Sequence, residues 1–296
     1  MSTQEQKPPE TETEQDEAEA AETEAAEEAA PTPGERRRQE RSERQATAPV
    51  AGAIEGPTRQ LRVFRFDPEV AEKAEPRFDD FHVPFEPGMT VLDALIYARD
   101  HYDSSLTFRH SCRQAVCGSD AMFVNGRQRL CCKTQISELD DPVRVEPLPH
   151  QDVVKDLVVD MQHFYDQMHA VDPFFDPDET PDGMEEQRQS PENREYIKMA
   201  TRCIWCGACT SSCNIAAGDN QYLGPAAINK AYRFAMDERE GPEKEQDRFE
   251  ILEEEHGVWR CQTQFSCTNV CPKDIPLTEH IQELKRDAAR KNLKFW

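Results

Sequence analysis

Cysteine supplies the chemistry in this chain. Cys203, Cys206, Cys209 and Cys213 are spaced C-x2-C-x2-C-x3-C, and Cys261, Cys267 and Cys271-Pro272 later repeat that ladder with Gln264 where a fourth cysteine would complete it. Three thiolates two residues apart on a tight loop converge on three corners of one iron-sulfur cubane, while the next cysteine points away and closes the neighbouring cluster. The spacing therefore assigns Cys203, Cys206, Cys209 and the distant Cys271 to a [4Fe-4S] cluster. It leaves Cys213, Cys261 and Cys267 for a second cluster with no thiolate for a fourth iron. A [3Fe-4S] centre is the simplest outcome there, because glutamine is a poor ligand for iron that prefers thiolate. Crossed ligands also require the two segments to fold as one body. Structural zinc is the competing reading, since paired C-x2-C is how zinc ribbons are written. Zinc closes with four ligands, whereas these segments offer seven cysteines in one consistent crossed register.

A third constellation lies upstream: Ser111-Cys112-Arg113-Gln114-Ala115-Val116-Cys117-Gly118-Ser119-Asp120, then Cys131-Cys132. A [2Fe-2S] loop of the plant type is spaced C-x4-C-x2-C with a distant fourth ligand. Cys112 and Cys117 fit, Asp120 occupies the third position, and the distant thiol is Cys132 or Cys131. Asp120 is either an iron ligand or a loop carboxylate bonding nearby amides. Gly118 and Gly126 would let backbone amides approach the cluster sulfurs.

Elements that could position these loops are readable around them. Gln60–Phe66 alternates polar and apolar residues as a strand does, and Phe81–Phe85 reads as its hairpin partner, with Pro84 suggesting an edge or strand end. Thr90-Val91-Leu92-Asp93 reads as a capping box opening a helix to about His101. Strand, strand, helix and cysteine loop is the order of a β-grasp domain. From Val153 to His169, apolar residues at 154, 157, 158, 161, 164, 165 and 168 suggest one packed helical face. Residues 171–190 read as a Pro- and acid-rich linker. Ser190-Pro191 caps a helix leading into Cys203, Gly224-Pro225 starts another, and a last helix follows Pro276. The expected class is α+β: an acidic disordered tail over 1–57, a β-grasp plant-type [2Fe-2S] ferredoxin domain over 58–150, a connecting helix and linker over 151–190, and an α-helical two-cluster ferredoxin-like domain over 191–296.

Composition narrows the setting. The chain has 296 residues, a formal net charge of -23 and 11 cysteines. Eleven cysteines in an acidic chain without a secretory signal read as metal ligands in a reducing compartment rather than as a disulfide framework. The acidic balance argues against a nucleic-acid partner, because phosphate contacts need a basic face. No run of about 18 apolar residues is present to span a bilayer. Arg36-Arg37-Arg38 is followed by too weak an apolar patch for a twin-arginine signal, so the chain is read as lying on the cytoplasmic side. The tail is rich in Glu, Ala, Thr, Pro and Gln and cannot bury enough apolar surface to offset its ordering entropy. Residues 16–30 have the Ala and Glu content for transient helix but no apolar face to dock.

A [2Fe-2S] domain followed by a helical domain with one [4Fe-4S] and one [3Fe-4S] cluster resembles the iron-sulfur subunit of succinate dehydrogenase and fumarate reductase. The resemblance runs from residue 58 to about 290. It is carried by Ser111-Cys112-Arg113 through Cys117-Gly118-Ser119-Asp120, Asp156-Leu157-Val158-Val159-Asp160-Met161, Leu223-Gly224-Pro225-Ala226 with Ala231-Tyr232-Arg233-Phe234, and Val270-Cys271-Pro272-Lys273. It implies [2Fe-2S] ligation by Cys112, Cys117, Asp120 and Cys132, since the third position is aspartate in some members. Cys131 is left as a buried thiol packing as a small hydrophobe. It further implies a partner flavoprotein that oxidises succinate to fumarate at FAD, and single electrons passed through the three clusters to a membrane quinone. The chain would then be a wire without its own acid, base or dicarboxylate site, peripheral on the cytoplasmic face of the cell membrane and held there by anchor subunits. Fumarate reductase running in reverse, or an electron-transfer subunit of another iron-sulfur oxidoreductase, are the alternatives. One departure stands out: Cys213 is followed by Asn214-Ile215-Ala216-Ala217-Gly218 and Cys261 by Gln262, so the family's quinone-lining residues have no counterparts to carry over. Trp205 and Trp259 flank the ligand runs and are read as packing against the cluster loops.

Arginine outnumbers lysine about two to one, and an acid-rich, lysine-poor surface suits a high-salt cytoplasm that screens its self-repulsion. The unfolding midpoint is therefore expected to rise between dilute buffer and molar salt. An unchanged midpoint across that series would remove the high-salt reading.

Overall fold

The computed structural model describes residues 56–177 and 186–293. The expected acidic tail, and the helix-prone stretch within it, lie almost wholly outside the described residues.

The first half is built on a five-stranded mixed sheet in the order β2-β1-β5-β3-β4. β1 (Thr58–Arg65) pairs antiparallel with β2 (Arg77–Pro84), so the hairpin partner begins four residues before the apolar run that announced it. Pro84 ends the edge strand, where a missing amide donor costs no ladder bond. β5 (Val143–Glu146) lies parallel to β1 with Leu61 opposite Val143, and β3 (Ala121–Val124) and β4 (Arg127–Leu130) form a hairpin beyond it. Asn125 and Gly126 make the two-residue turn at positive φ, 44° and 79°, a conformation for which Asn-Gly is the preferred pair. Helix α1 (Val91–His101) has the expected capping box: the Asp93 amide donates to Thr90 Oγ1 at 3.2 Å, and the Thr90 amide donates to Asp93 Oδ2 at 3.0 Å. Its inner face, Val91, Leu92, Ala94, Leu95 and Ala98, closes a core with Leu61, Val63, Val83, Val143 and Val145.

Residues 153–159 are not helical, contrary to the expectation of one packed helix from Val153 to His169. They form a small antiparallel pair, β6 (Val153–Lys155) and β7 (Val158–Val159), and helix α2 covers only Gln162–His169. Asp156 decides this. It sits at φ 47°, fully buried, where its Oδ1 accepts from the Phe66 amide at 3.0 Å and Arg65 Nε at 3.1 Å, and its Oδ2 accepts from the Thr107 amide at 2.9 Å. Those donors would be orphaned in the interior if residue 156 were part of a helix. Arg65 also reaches Asp103 at 2.8 Å and Asp79 at 3.0 Å. Burial opposes ionisation of Asp103, but hydrogen bonds from Ser105 and Arg65 hold its carboxyl down to about 2.

The second half is helical. α3 (Pro191–Ile197) is capped by Ser190, whose Oγ accepts from the Asn193 amide at 3.1 Å, and it leads through a single turn at Ala200–Arg202 into Cys203. Short helices α4 (Ala208–Ser211) and α5 (Asn214–Gly218) follow the first ligand run, and α8 (Ser266–Val270) lies within the second. Between and after them come α6 (Gly224–Ala235), α7 (Pro242–Glu253) and α9 (Leu277–Leu293). Ala226, Ala227, Ile228, Ala231 and Tyr232 bury α6 in the centre of this half against Phe164, Met168, Leu252, Ile281 and Leu284. The edge strand β4 joins the halves: Gln128 Nε2 donates to the Ser211 carbonyl at 3.2 Å, and Arg127 donates to the Asn269 carbonyl. Lys133, just beyond it, donates to the Pro272 carbonyl at 3.2 Å.

Candidate functional site

The 112–120 loop is wound by three positive φ angles, Arg113 at 57°, Ala115 at 55° and Gly118 at 73°, which turn successive amides inward. Gln114, Val116 and Cys117 amides donate to Cys112 Sγ at 3.4, 3.4 and 3.3 Å, and the Ala115 amide donates to Cys132 Sγ at 3.3 Å. These amides, Gln114 foremost, hold the Cys112 thiol down to about 7. Burial, reinforced by Asp120, pushes the Cys132 thiol up to about 12. Asp120 is 2% exposed. Its Oδ2 accepts from the Cys132 amide at 2.5 Å, whereas its Oδ1 is buried with no hydrogen-bond partner. Cys117 stays at the surface with its sulfur 3.2 Å from Ser119 Oγ. Cys131 turns the other way, fully buried in the sheet-and-α1 core, and burial raises its thiol well above the usual range.

The seven later cysteines divide between two cavities. Cys203, Cys206, Cys209 and Cys271 line one, with Phe164, Trp205 and Leu277. Cys213, Cys261 and Cys267 line the other, with Tyr222, Gln264 and Thr278. This four-and-three division is the one the crossed register predicts. The two loops also repeat each other's backbone. Cys203 and Cys261 have φ,ψ of -61°,125° and -62°,124°. Positive φ follows at the second and fourth residues after each: Trp205 at 58° and Gly207 at 76°, Thr263 at 58° and Phe265 at 61°. Gln264 therefore occupies the place in the second loop that Cys206 holds in the first.

Burial dominates the electrostatics of four of these thiols. It pushes Cys206 up to about 12, Cys209 well above the usual thiol range, and raises Cys203 and Cys267 as well. A thiol raised in this way favours its neutral form, and a bound cation would ionise it on coordination. Among the described residues no group of three or more His, Cys, Asp or Glu side chains is arranged to hold a single metal ion. Four sulfurs ranged around one cavity and three around the other are the donor sets a polynuclear core would use.

Two residues at this site were not picked out from sequence. Tyr222 is 1% exposed and lines the three-thiol cavity. Thr278 Oγ1 lies 3.6 Å from Cys267 Sγ. Both come from outside the ligand runs, and no local spacing pattern marks them. Trp205 packs near Tyr165 and His169, as expected of an aromatic on a cluster loop, while Trp259 is half exposed.

The 112–120 loop touches the Cys203–Cys209 run directly. A Cβ at Gly118 would stand 2.7 Å from Cys206 Cβ and 2.9 Å from the Ile204 carbonyl oxygen. Glycine is thus required twice over at this point, for its positive φ and for the closeness of the two loops.

Comparison with known proteins agrees with this geometry. A 2Fe-2S iron-sulfur cluster binding domain model matches residues 60–166, and a 4Fe-4S dicluster domain model matches residues 199–275. The chain is 40% identical over 229 residues to the succinate dehydrogenase iron-sulfur subunit of Paracoccus denitrificans, covering 77% of this chain and 86% of that one. It is 38% identical over 236 residues to a fumarate reductase iron-sulfur subunit of Mycobacterium tuberculosis, covering 79% and 94%. The corresponding Haemophilus influenzae fumarate reductase subunit is 34% identical over 245 residues, covering 79% and 94%. A chain of the Mycobacterium smegmatis Sdh1 complex in the apo form superposes with a TM-score of 0.71 at 27% identity, covering 80% of this chain and 97% of that one.

Gly118→Ala must force an L-residue into the left-handed region and part the two loops, so it is expected to cost about 1–3 kcal/mol of stability. A melting temperature equal to that of the parent would mean the loops are not in contact.

Proposed function

Because the chain belongs to the iron-sulfur subunit family of succinate dehydrogenases and fumarate reductases, we propose a ligand assignment for each of three clusters along one electron path. Cys112, Cys117, Asp120 and Cys132 hold [2Fe-2S]. Cys203, Cys206, Cys209 and Cys271 hold [4Fe-4S], and Cys213, Cys261 and Cys267 hold [3Fe-4S]. The observation that carries the assignment is the division of seven thiols between two cavities, four and three, in agreement with the crossed spacing. The fit of Asp120 rests on its orphaned Oδ1: a buried carboxylate oxygen without a donor is costly unless a cation takes it. The missing fourth ligand of the last cluster rests on Gln264 standing in the backbone position of Cys206.

Bound there, the clusters supply reversible one-electron chemistry. The chain's own residues set where and how easily that occurs. Amides aimed at Cys112 and Cys132 stabilise added negative charge on the first centre. Phe164 and Leu277 wall the four-thiol cavity, and Tyr222 and Ile281 the inner side of the three-thiol cavity, so that apolar surface faces both centres. Contact of Gly118 with Cys206 brings the first loop against the second without an intervening side chain.

The first half is read as a β-grasp domain, on the strength of its mixed sheet with parallel β1 and β5 and a helix across one face. Succinate oxidation to fumarate takes place in this reading at FAD in a partner flavoprotein, which meets the cluster loop where Val116 is 60% exposed. The three-thiol end, where Phe265 and Trp259 are exposed, faces the membrane anchor subunits and quinone. No helix among the described residues is long and apolar enough to cross a membrane, in keeping with a peripheral position on the cytoplasmic face.

Two variants test the ligand sets by electron paramagnetic resonance of the purified complex. Gln264→Cys is expected to convert the three-iron centre to four irons, abolishing its signal in the oxidised state; a retained signal refutes the register. Asp120→Ala is expected to alter the [2Fe-2S] signal alone, and an unchanged spectrum takes Asp120 off the ligand set.

A further inference from the structure

Lys230 is half-buried on α6, between residues that are otherwise fully buried, Asn229 and Ala231. Its ammonium stands 5.3 Å from the centre of the Trp205 ring. That ring belongs to the loop between Cys203 and Cys206, held at φ 58°, and Tyr165 and His169 of α2 flank it at 6.4 and 6.3 Å. The chain carries 58 acidic residues, and several lysines close on them, Lys155 on Asp67 at 2.6 Å, Lys244 on Asp172 at 2.6 Å and Lys291 on Glu245 at 2.8 Å, while Lys133 and Lys285 donate to the Pro272 and Cys261 carbonyls. Lys230 has no such carboxylate within ion-pair distance among the described residues. The ionisable groups that act on it are Cys203, which carries charge only once a bound cation displaces its proton, and the guanidinium of Arg233, one turn along its own helix.

Removing an ammonium from water without an anion is unfavourable, and a ring face recovers only part of the loss. The missing anion is supplied if four thiolates and a cluster sit beneath it, since such a centre carries net negative charge that grows by one on reduction. We propose that Lys230 is a positioning charge for the centre held by Cys203, Cys206, Cys209 and Cys271, raising its reduction potential by stabilising the more negative state. The inference rests on the ligand assignment above. Trp205 has a defined part in it: its ring carries the ammonium over the loop and keeps it from swinging into solvent. Because this centre takes its electron from the first and hands it to the third, a cation here eases the first transfer without touching either neighbour's ligands.

The test is a redox titration of the assembled complex, reading each centre by its own paramagnetic signal. Lys230→Met keeps the stem and deletes the charge. It is expected to shift the reduction equilibrium of the four-iron centre about tenfold toward the oxidised form, 59 mV for a one-electron couple, with the other two centres unmoved. Lys230→Arg keeps the charge and should restore most of the shift. An unaltered four-iron midpoint in Lys230→Met overturns the proposal, as does an equal movement of all three centres or an Arg variant that shifts as far as Met. Should Lys230→Met not assemble, Lys230→Gln is read by the same criteria. A parent complex lacking any four-iron signal would instead sink the ligand assignment, so the two failures are told apart.

Discussion

Sulfur anions held away from water must be neutralised, and the arrangement of the helical half follows from that requirement. Burial is the main influence on Cys203, Cys206, Cys209 and Cys267 and raises each thiol above its usual range. A packed interior therefore forms around groups that are apolar when protonated and become ligands only when iron displaces the protons. Cys209 and Cys267 can accordingly belong to the same core as Ile228, Leu252 and Ile281. The first loop solves the problem differently: Cys112 is less buried and its charge is met by three backbone amides. Peptide dipoles meet the charge at Cys112, whereas burial is the larger influence on Cys203, Cys206, Cys209 and Cys267.

Distance between centres is set by backbone packing rather than by long side chains. Gly118 lies against Cys206 with no room for a methyl group, and the edge of the sheet is pinned to both ligand runs by Gln128 on Ser211, Arg127 on Asn269 and Lys133 on Pro272. These bonds end on carbonyls within α4, within α8 and beside Cys271, so the two halves are tied at the ligand loops themselves. Reorienting one half would break these hydrogen bonds together.

Legibility in the sequence followed the range of the interactions. The register of the later cysteines was readable because the geometry it encodes is local, repeating over a dozen residues; the matching φ angles at Trp205, Gly207, Thr263 and Phe265 are its backbone counterpart. The capping box at Thr90 and the Pro-initiated starts at Pro191 and Pro225 were equally local. Residues 153–159 were misread as helix because the deciding contacts of Asp156, to Phe66, Thr107 and Arg65, are far away in sequence. Two missed elements did carry signals: Asn125-Gly126 marks the β3–β4 turn, and Gly241-Pro242 opens α7 in the manner of Gly224-Pro225. Tyr222 and Lys230 had none, since each acquires its meaning only when α6 and the turn before it fold back onto the ligand loops.

The preference for arginine has an internal reason as well as a surface one. Arg65 and Arg248 are among the largest fully buried side chains, and each gathers segments that form no ladder or helix of their own. Arg248 pairs with Glu240 at 2.6 Å and donates to the carbonyls of Val171, Asp172 and Phe174 at 2.6–2.7 Å, fastening the stretch after α2 to α7. Arg65 does the same for the turn at Asp156 and the loop at Asp103 that runs on toward Cys112. A guanidinium presents five donors in a fixed plane, so one side chain can satisfy a carboxylate and several carbonyls together; an ammonium, with three donors on a flexible stem, cannot span them. Both hubs meet their charge with buried or half-buried carboxylates, Asp156, Asp103 and Asp79 on Arg65 and Glu240 on Arg248.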